Sequence, residues 1–456
     1  MIKPPPAPKD LPQNVFKLLG EEHRDKISEY LDLYKPVDDQ GRYLHFDQLR
    51  FRLPTGINHN LAWAVIKTAR TRQYTDLLPV GEPTQWCKFV LTPTAQKAIS
   101  ITDRNATTAA LEYMSSKIGE ETHFKYLLND LIEDEAISSS QLEGAATTTI
   151  IAKDMLKKNR KPRTPDEKMI LGNFRMMKFA WENRKRHLSL EFIKEIHSIG
   201  VEGIEDKKYS PGEFRSTDDV IVEDSDGNAV HQPPPAKGIE QRLGILTEWI
   251  NTCHDDASTS NYIHPLIKAI SLHFAIGYEH PFRDGNGRVA RSLFYWFMFK
   301  SDYAAFRYIA ISVLLKSAPV KYGHSYLYTE SDELDLTYFV DYQCSVITRS
   351  ISDFKEAFQK SLVEVEEFNK WIWESGLYKK LSEKQKTVFQ VAKSGKTKIF
   401  STTNVKENLG CSYNTAASVL NGLVDLNIFE KKINGREWLY QMKDKTEIQK
   451  NWALQS

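Results

Sequence analysis

Four cysteines are scattered through 456 residues, at positions 87, 253, 344 and 411, and no CxxC pair occurs. That scarcity gives no support to a disulfide framework or a thiolate zinc site, and it points to a reducing cytoplasm. Long apolar runs are missing too: the most lipid-like stretch is Leu293-Phe294-Tyr295-Trp296-Phe297-Met298-Phe299, far short of the roughly 20 residues a spanning helix needs. The beginning, Met1-Ile2-Lys3-Pro4-Pro5-Pro6, lacks the apolar stretch of a signal peptide. Neither sign of charge dominates, with 61 Lys and Arg against 60 Asp and Glu and a formal net charge of +1. No overall field therefore marks nucleic acid or a membrane surface as an obligate partner. GxSxG and HExxH are absent, which leaves serine-hydrolase and zinc-protease readings unsupported. Gly395-Lys396-Thr397 matches the end of a P-loop, but the glycine required at position 390 is replaced by Gln390. His264 and His273 are not at metal-ligand spacing and read as structural.

What is present is a soluble globular composition, 41% hydrophobic and 27% charged, in a chain long enough for several domains. The expected class is mainly α. Residues 1–14 are proline-rich and polar. Within an N-terminal region, 1–120, Leu11 to Tyr34 has a helical pattern, while Tyr43 to Pro54 and Trp86 to Leu91 carry strand-like aromatic and β-branched content. From Ala106 to Asn183 the pattern is helical, and Leu188 to Ile199 predicts a further helix with Ser189 as its N-cap. Pro211-Gly212, Val220-Ile221-Val222, the Asp226-Gly227 turn and Val230 predict a β-hairpin inserted among helices. Helices follow over Ile239 to Thr252 and Pro265 to Glu279, and the pattern continues to about Trp373. This middle region is expected to span 121–375. Over 376–456 the order helix, helix, turn, helix, hairpin is that of a winged helix-turn-helix, with Ser412 to Leu426 as the third helix and Asn434-Gly435 at the hairpin turn. Residues 379–456 hold 14 Lys and Arg against 7 Asp and Glu, a basic balance that suits DNA. The third helix, however, has no Lys or Arg and contains Asp425, so charge for phosphate contacts is left to the wing (Lys431, Lys432, Arg436). DNA binding, protein docking and dimerisation all remain open for this module.

One segment concentrates the chemistry: His280-Pro281-Phe282-Arg283-Asp284-Gly285-Asn286-Gly287-Arg288-Val289-Ala290-Arg291. An apolar helix ends at a proline, a loop carries an acid and two glycines, and a new helix begins. Glycine lets the backbone approach a ligand without a Cβ in the way. The first N–H groups of a helix lack partners and lie at the positive end of its dipole, a ready phosphate cradle. Arg288 and Arg291, three apart, can neutralise further phosphate oxygens. Asp284 is placed to hold Mg²⁺ against those phosphates. His280, at the rim, can take the proton of an attacking hydroxyl. Phe282 reads as a core anchor.

The run HPFRDGNGRVAR resembles the signature of the Fic (filamentation induced by cAMP) family, HPFx(D/E)GNGRxxR, at every defined position. The resemblance covers roughly residues 125–345. It implies a helical Fic domain with a β-hairpin flap, and protein AMPylation: transfer of AMP from ATP to a Tyr, Thr or Ser hydroxyl of a target protein, with self-modification among the possible outcomes. In those terms His280 is the general base and Asp284 the Mg²⁺ ligand. Gly285, Asn286 and Gly287 hold the α- and β-phosphates, Arg288 and Arg291 hold the distal phosphates, and Arg283 fills the variable position. The flap maps onto Pro211-Gly212-Glu213-Phe214-Arg215 through Pro233-Pro234-Pro235, with an edge open to strand addition by a target. Its acids (Asp218, Asp219, Glu223, Asp224, Asp226) read as a solvated loop.

Ser139-Ser140-Gln141-Leu142-Glu143-Gly144 fits the family's inhibitory motif, (S/T)xxxE(G/N), which implies an N-terminal inhibitory helix near 136–146 with Ser139, Glu143 and Gly144 at the defined positions. Glu143 paired with Arg291 would take the cation meant for the γ-phosphate and spoil in-line geometry at the α-phosphate. Tyr322 and Tyr326, in the helices after the motif, are the candidates to border the adenine. Three alternatives stand beside this reading: hydrolytic removal of AMP at the same site, a DNA-binding regulator with a nucleotide-sensing Fic domain, and a donor such as UTP or a phosphocholine nucleotide, since a phosphate cradle does not read the base. A homodimer is a further possibility.

Overall fold

The computed structural model describes the chain apart from residues 1–3, 7, 9–10, 12–13, 119–132, 158–159, 206–209, 224–226, 257, 259–260, 394–398, 435–436 and 455–456. Asp224, Asp226, the Gly395-Lys396-Thr397 run and Arg436 thus lie outside the described residues. The chain divides into two compact units. One holds the described residues within Met1–Ala110 and Leu131–Ser352, the other those within Leu111–Asp130 and Asp353–Ser456. Both are mainly helical. Among the described residues, no helix is long and apolar enough to cross a membrane.

In the first unit the central pair of helices is Pro265–Glu279 and Asn286–Lys300. Each is apolar nearly all round, the pattern of a helix buried on every side, and almost every residue of both is buried. Pro265 occupies the first helical turn, where its missing N–H costs nothing. His264 caps that turn, its Nδ1 accepting from the Leu266 N–H at 3.1 Å. The helices Pro165–Glu182 and Leu190–Val201 pack against Asn286–Lys300. Ser189 caps the second of them, as its sequence predicts, accepting from the Phe192 N–H at 3.2 Å.

The described residues within Met1–Ala110 belong to this same unit. Strands Thr75–Val80 and Gln85–Phe89 pair antiparallel, Thr75 opposite Phe89 and Val80 opposite Gln85. A strand does form around Trp86, but Tyr43 to Pro54 does not form one. Its regular element is the short helix Phe46–Leu49, closed by a capping box in which Asp47 N–H donates to His45 Nδ1 at 3.2 Å and His45 N–H to Gln48 Oε1 at 3.3 Å. Capping and burial of Tyr43, Phe46 and Leu49 outweigh strand propensity there. The stretch is tied down by buried polar groups. Tyr43 and Tyr74 hydroxyls donate to Asp335 at 2.6 and 2.8 Å, Arg70 donates to the Tyr338 hydroxyl at 2.7 Å, and Lys67 pairs with Asp332 at 3.0 Å.

The second unit runs helix Glu383–Lys393, strand Ile399–Ser401, helix Thr402–Leu409, helix Tyr413–Asp425 and hairpin Phe429–Asn434/Glu437–Met442. The last strand lies between the other two. Its core includes Phe368, Ile372, Leu377, Phe389, Leu420, Leu423, Phe429 and Trp452. The short strand Ile399–Ser401 has no counterpart in the sequence expectation, because three residues are too few to show a period.

Candidate active site

The loop between the two central helices sets the site. His280 ends helix Pro265–Glu279 in the left-handed conformation, φ 46° and ψ 59°, which costs a non-glycine residue about 1–2 kcal/mol. Its Nδ1–H donates to the Gly277 carbonyl at 3.3 Å. A carbonyl only accepts, so the proton is on Nδ1 and the lone pair is on Nε2. Burial pushes the imidazole down to about 4, leaving it neutral at physiological pH.

Asn286 closes the loop. Its Oδ1 accepts from the Phe282 N–H at 2.8 Å and its Nδ2 donates to the Phe282 carbonyl at 2.8 Å. The Asn286 side chain is therefore spent on shaping the cradle, and what faces a ligand is backbone. Gly285 takes the left-handed N-cap position at φ 82°. Gly287 is a close-approach glycine: a Cβ there would come 2.1 Å from Glu143 Oε1.

Glu143 follows a run of helix over the described residues 133–142, which ends before the far bound of the helix expected near 136–146. Gly144, at φ 95°, turns the chain out of that helix. Glu143 Oε1 accepts from Arg291 Nη2 at 2.7 Å. Ser139 supplies two more acceptors, its hydroxyl to Arg291 Nε at 2.8 Å and its carbonyl to Nη2 at 3.1 Å. Burial works against the Arg291 charge, and Glu143, Tyr322 and Glu135 together more than offset it, holding the guanidinium protonated. The helix is anchored from its other end by Glu135, a buried carboxylate that accepts from both the N–H and the hydroxyl of Ser312 at 2.8 and 2.5 Å.

A cavity of about 280 Å³ is lined by Glu143, His280, Gly287, Arg291, Tyr322 and Tyr326, with the flap residues Val222 and His231 and with Glu330 also on its wall. The other expected residues do not line it. Arg288 is buried and donates to the Gly200 carbonyl at 2.9 Å, so the two arginines reach different partners. Asp284 Oδ1 accepts from the Gly285 N–H at 2.5 Å and lies 4.0 Å from Arg288. Tyr322 donates to or accepts from His273 Nε2 at 2.8 Å, and Tyr326 stacks on Phe274 with centroids 5.4 Å apart. Core contacts therefore occupy part of both tyrosines.

The flap pairs Val222–Glu223 antiparallel with Ala229–His231, Val222 opposite His231. Three polar residues that sequence reasoning passed over tie it down. Arg283, at the motif's variable position, pairs with Asp219 at 2.7 Å and reaches the Thr217 hydroxyl at 3.1 Å. His231 bridges Glu330 at 2.8 Å and the Tyr278 carbonyl at 2.9 Å. His197 stacks on Phe282, accepts from the Gly212 N–H at 3.0 Å through Nδ1, and donates to the Asp284 carbonyl at 3.1 Å through Nε2. The only signal for His197 was a lone polar residue on the buried face of an apolar helix. Replacing it by phenylalanine keeps the stack but leaves a part-buried N–H and carbonyl without this partner. His197→Phe is expected to destabilise the protein by about 1–3 kcal/mol, read as a lowered urea midpoint.

Residues 187–298 match the family model described as the Fic/DOC family. Over those residues the chain carries a domain similar to the Fic/DOC family. The Fic match contains the flap, both central helices and the 280–291 loop. Among curated proteins, the "Protein adenylyltransferase Fic" of Nematostella vectensis is 34% identical over 82 residues, 18% of this chain and 16% of that one. The protein of the same name from Drosophila virilis is 24% identical over 213 residues, 46% of this chain and 40% of that one. The matched segments therefore span less than half of these relatives. Of solved structures, a Fic family protein from Desulfovibrio desulfuricans G20 aligns with TM-score 0.44 and 16% identity over 73% of this chain and 95% of that one.

Proposed function

We propose that this chain is a protein adenylyltransferase, moving AMP from ATP to a Tyr, Thr or Ser hydroxyl of a protein, and that Glu143 restrains it. The observation that carries the reading is one cavity holding a neutral histidine with its lone pair on Nε2, a glycine-lined helix N-terminus and a buried arginine. The hydroxyl oxygen attacks the α-phosphorus, its proton passes to His280 Nε2, and the bond to the leaving pyrophosphate breaks. Backbone N–H groups from Asn286 to Arg288 would cradle the phosphates, and Arg291, once freed from Glu143, would neutralise the distal one. Catalysis of this kind is mostly positioning and charge neutralisation.

Among the described residues no three His, Cys, Asp or Glu side chains cluster as a metal site. Mg²⁺ does not need such a cluster, since it is commonly held by one or two carboxylates together with substrate phosphates and water. Asp284, beside the cradle, fits that role, and the ion would supply charge neutralisation of the phosphates. The test is mass spectrometry of the protein after incubation with Mg·ATP, comparing wild type with Glu143→Gly: an adenylyl adduct that rises in the variant supports the reading.

The pH dependence follows from the buried base. His280 must be neutral to accept a proton, and its folded value lies near 4, below the ordinary 6.5. Activity is then present above that value and lost as pH falls through it. In Glu143→Gly, which removes a carboxylate that favours the imidazolium, kcat/KM is expected to stay flat from neutral pH down to about 5. An acidic limb near 6.5 in the pH–rate profile would contradict this.

The helix, strand, helix, helix and hairpin order of the C-terminal unit supports a winged helix-turn-helix. Exposed Tyr413, Ile433 and Trp438 give it apolar surface beside the wing lysines, which favours protein docking over DNA.

A further inference from the structure

Arg215 closes the PGEFR run that opens the flap, and its side chain is buried, with 4% of the residue exposed. Its donors go chiefly to backbone carbonyls of three segments. Nε donates to the His280 carbonyl at 2.9 Å, and Nη2 to the Glu279 carbonyl at 3.4 Å. Nη2 also donates to the Pro234 carbonyl at the far end of the flap, and Nη1 to the Thr217 carbonyl at 3.3 Å. The Arg215 N–H donates to the Pro281 carbonyl at 2.8 Å. The carboxylate paired with it, Asp218 at 3.4 Å, is largely exposed. The charge is thus met by flap carbonyls, by two carbonyls at the end of helix Pro265–Glu279, where the dipole is negative, and by the Asp218 and Glu279 carboxylates.

A buried cation held by carbonyls is costly to desolvate, and what this one holds is specific. The His280 carbonyl belongs to the residue whose left-handed backbone aims the imidazole at the cavity. The Thr217 and Pro234 carbonyls belong to the two ends of the flap. We propose that Arg215 is a positioning residue for the transfer reaction: it fixes the strained backbone of His280 and locks both ends of the flap to it, so that a hydroxyl carried along the flap meets Nε2 in one register. Lysine cannot replace it, because a point charge lacks the planar fork that reaches several carbonyls at once.

This rests on the AMP-transfer reading, and the test separates the two. In full-length Glu143→Gly protein, Arg215→Ala is expected to lower kcat by about 10²-fold, the scale of a small misplacement of reacting groups. KM for ATP should stay within about threefold, because the phosphate cradle is untouched. Millimolar guanidinium should restore part of kcat in Arg215→Ala. Arg215→Lys, which keeps the charge and the stem if the alanine variant does not fold, should lose kcat almost as far. Parental kcat in either variant, or a fall in ATP affinity matching the fall in kcat without guanidinium rescue, would overturn the assignment. If the Glu143→Gly parent transfers nothing, the AMP-transfer reading fails and Arg215 is judged by NMR of histidine-labelled protein. The His280 imidazole resonance is then expected to move in Arg215→Lys at unchanged melting temperature, and an unmoved resonance would reject the positioning role.

Discussion

Placing His280→Ala on top of Glu143→Gly is expected to remove AMP transfer by a factor of about 10²–10⁴, the range that a positioned general base contributes. The imidazole is set up for one task. Nδ1 is tied to the Gly277 carbonyl, Nε2 carries the lone pair, and burial pushes the imidazole down to about 4, so the ring is neutral at physiological pH. Alanine leaves the attacking hydroxyl with nowhere to send its proton. Nucleotide binding should survive, because the cradle is made of backbone from Asn286 onward and the loop is closed by the Asn286–Phe282 pair, neither of which His280 builds. The expected signature is a fall in kcat with KM for ATP little changed. Intact-protein and peptide mass spectrometry after Mg·ATP reads it directly: an adduct on Glu143→Gly that vanishes in the double variant. An adduct of equal yield in both would mean that the proton leaves by another route and that His280 is not the base.

The difference between what the chain announces and what it conceals follows from locality. The 280–291 loop is legible because base, acid, glycines and arginines are contiguous, so one stretch of sequence carries the helix end, the cradle and the new helix. Glu143 is legible through a short motif, although it meets Arg291 across 148 positions at 2.7 Å. The roles of His197 and Glu135 were not, because each is one polar residue in an ordinary helical pattern, and Arg215, though placed in the flap's opening run, likewise gains meaning only from partners far away in the chain. Arg288 shows the opposite failure. Helical spacing sets it beside Arg291, but the Gly200 carbonyl takes its guanidinium away from the cavity wall. The stretch around His45 misleads for a related reason: aromatic content reports that Tyr43 and Phe46 are buried, and the capping contacts of His45 and Gln48 decide in which conformation.

Glu143→Gly is expected to raise transfer by about 10–100-fold, the equivalent of the 1.5–3 kcal/mol carried by a hydrogen bond to a charged group. On this proposal the carboxylate would act twice: it pairs with the buried Arg291, and its Oε1 lies against Gly287 at the start of the helix proposed to cradle the phosphates. Glycine at 143 removes the charge and the volume together while Ser139 continues to hold Arg291 Nε at 2.8 Å. Arg291 should therefore stay in place, with Nη2 released from the carboxylate and still donating to the Ser139 carbonyl at 3.1 Å. Glu143→Gln separates the two contributions, since it keeps the volume and one acceptor but loses the charge. If repulsion of the phosphates dominates, the glutamine variant should gain most of the activity of the glycine variant; if occupancy dominates, it should gain little. An adduct no stronger in Glu143→Gly than in wild type would remove Glu143 as the restraint and turn attention to another donor nucleotide, a strictly external target or the AMP-removing reaction.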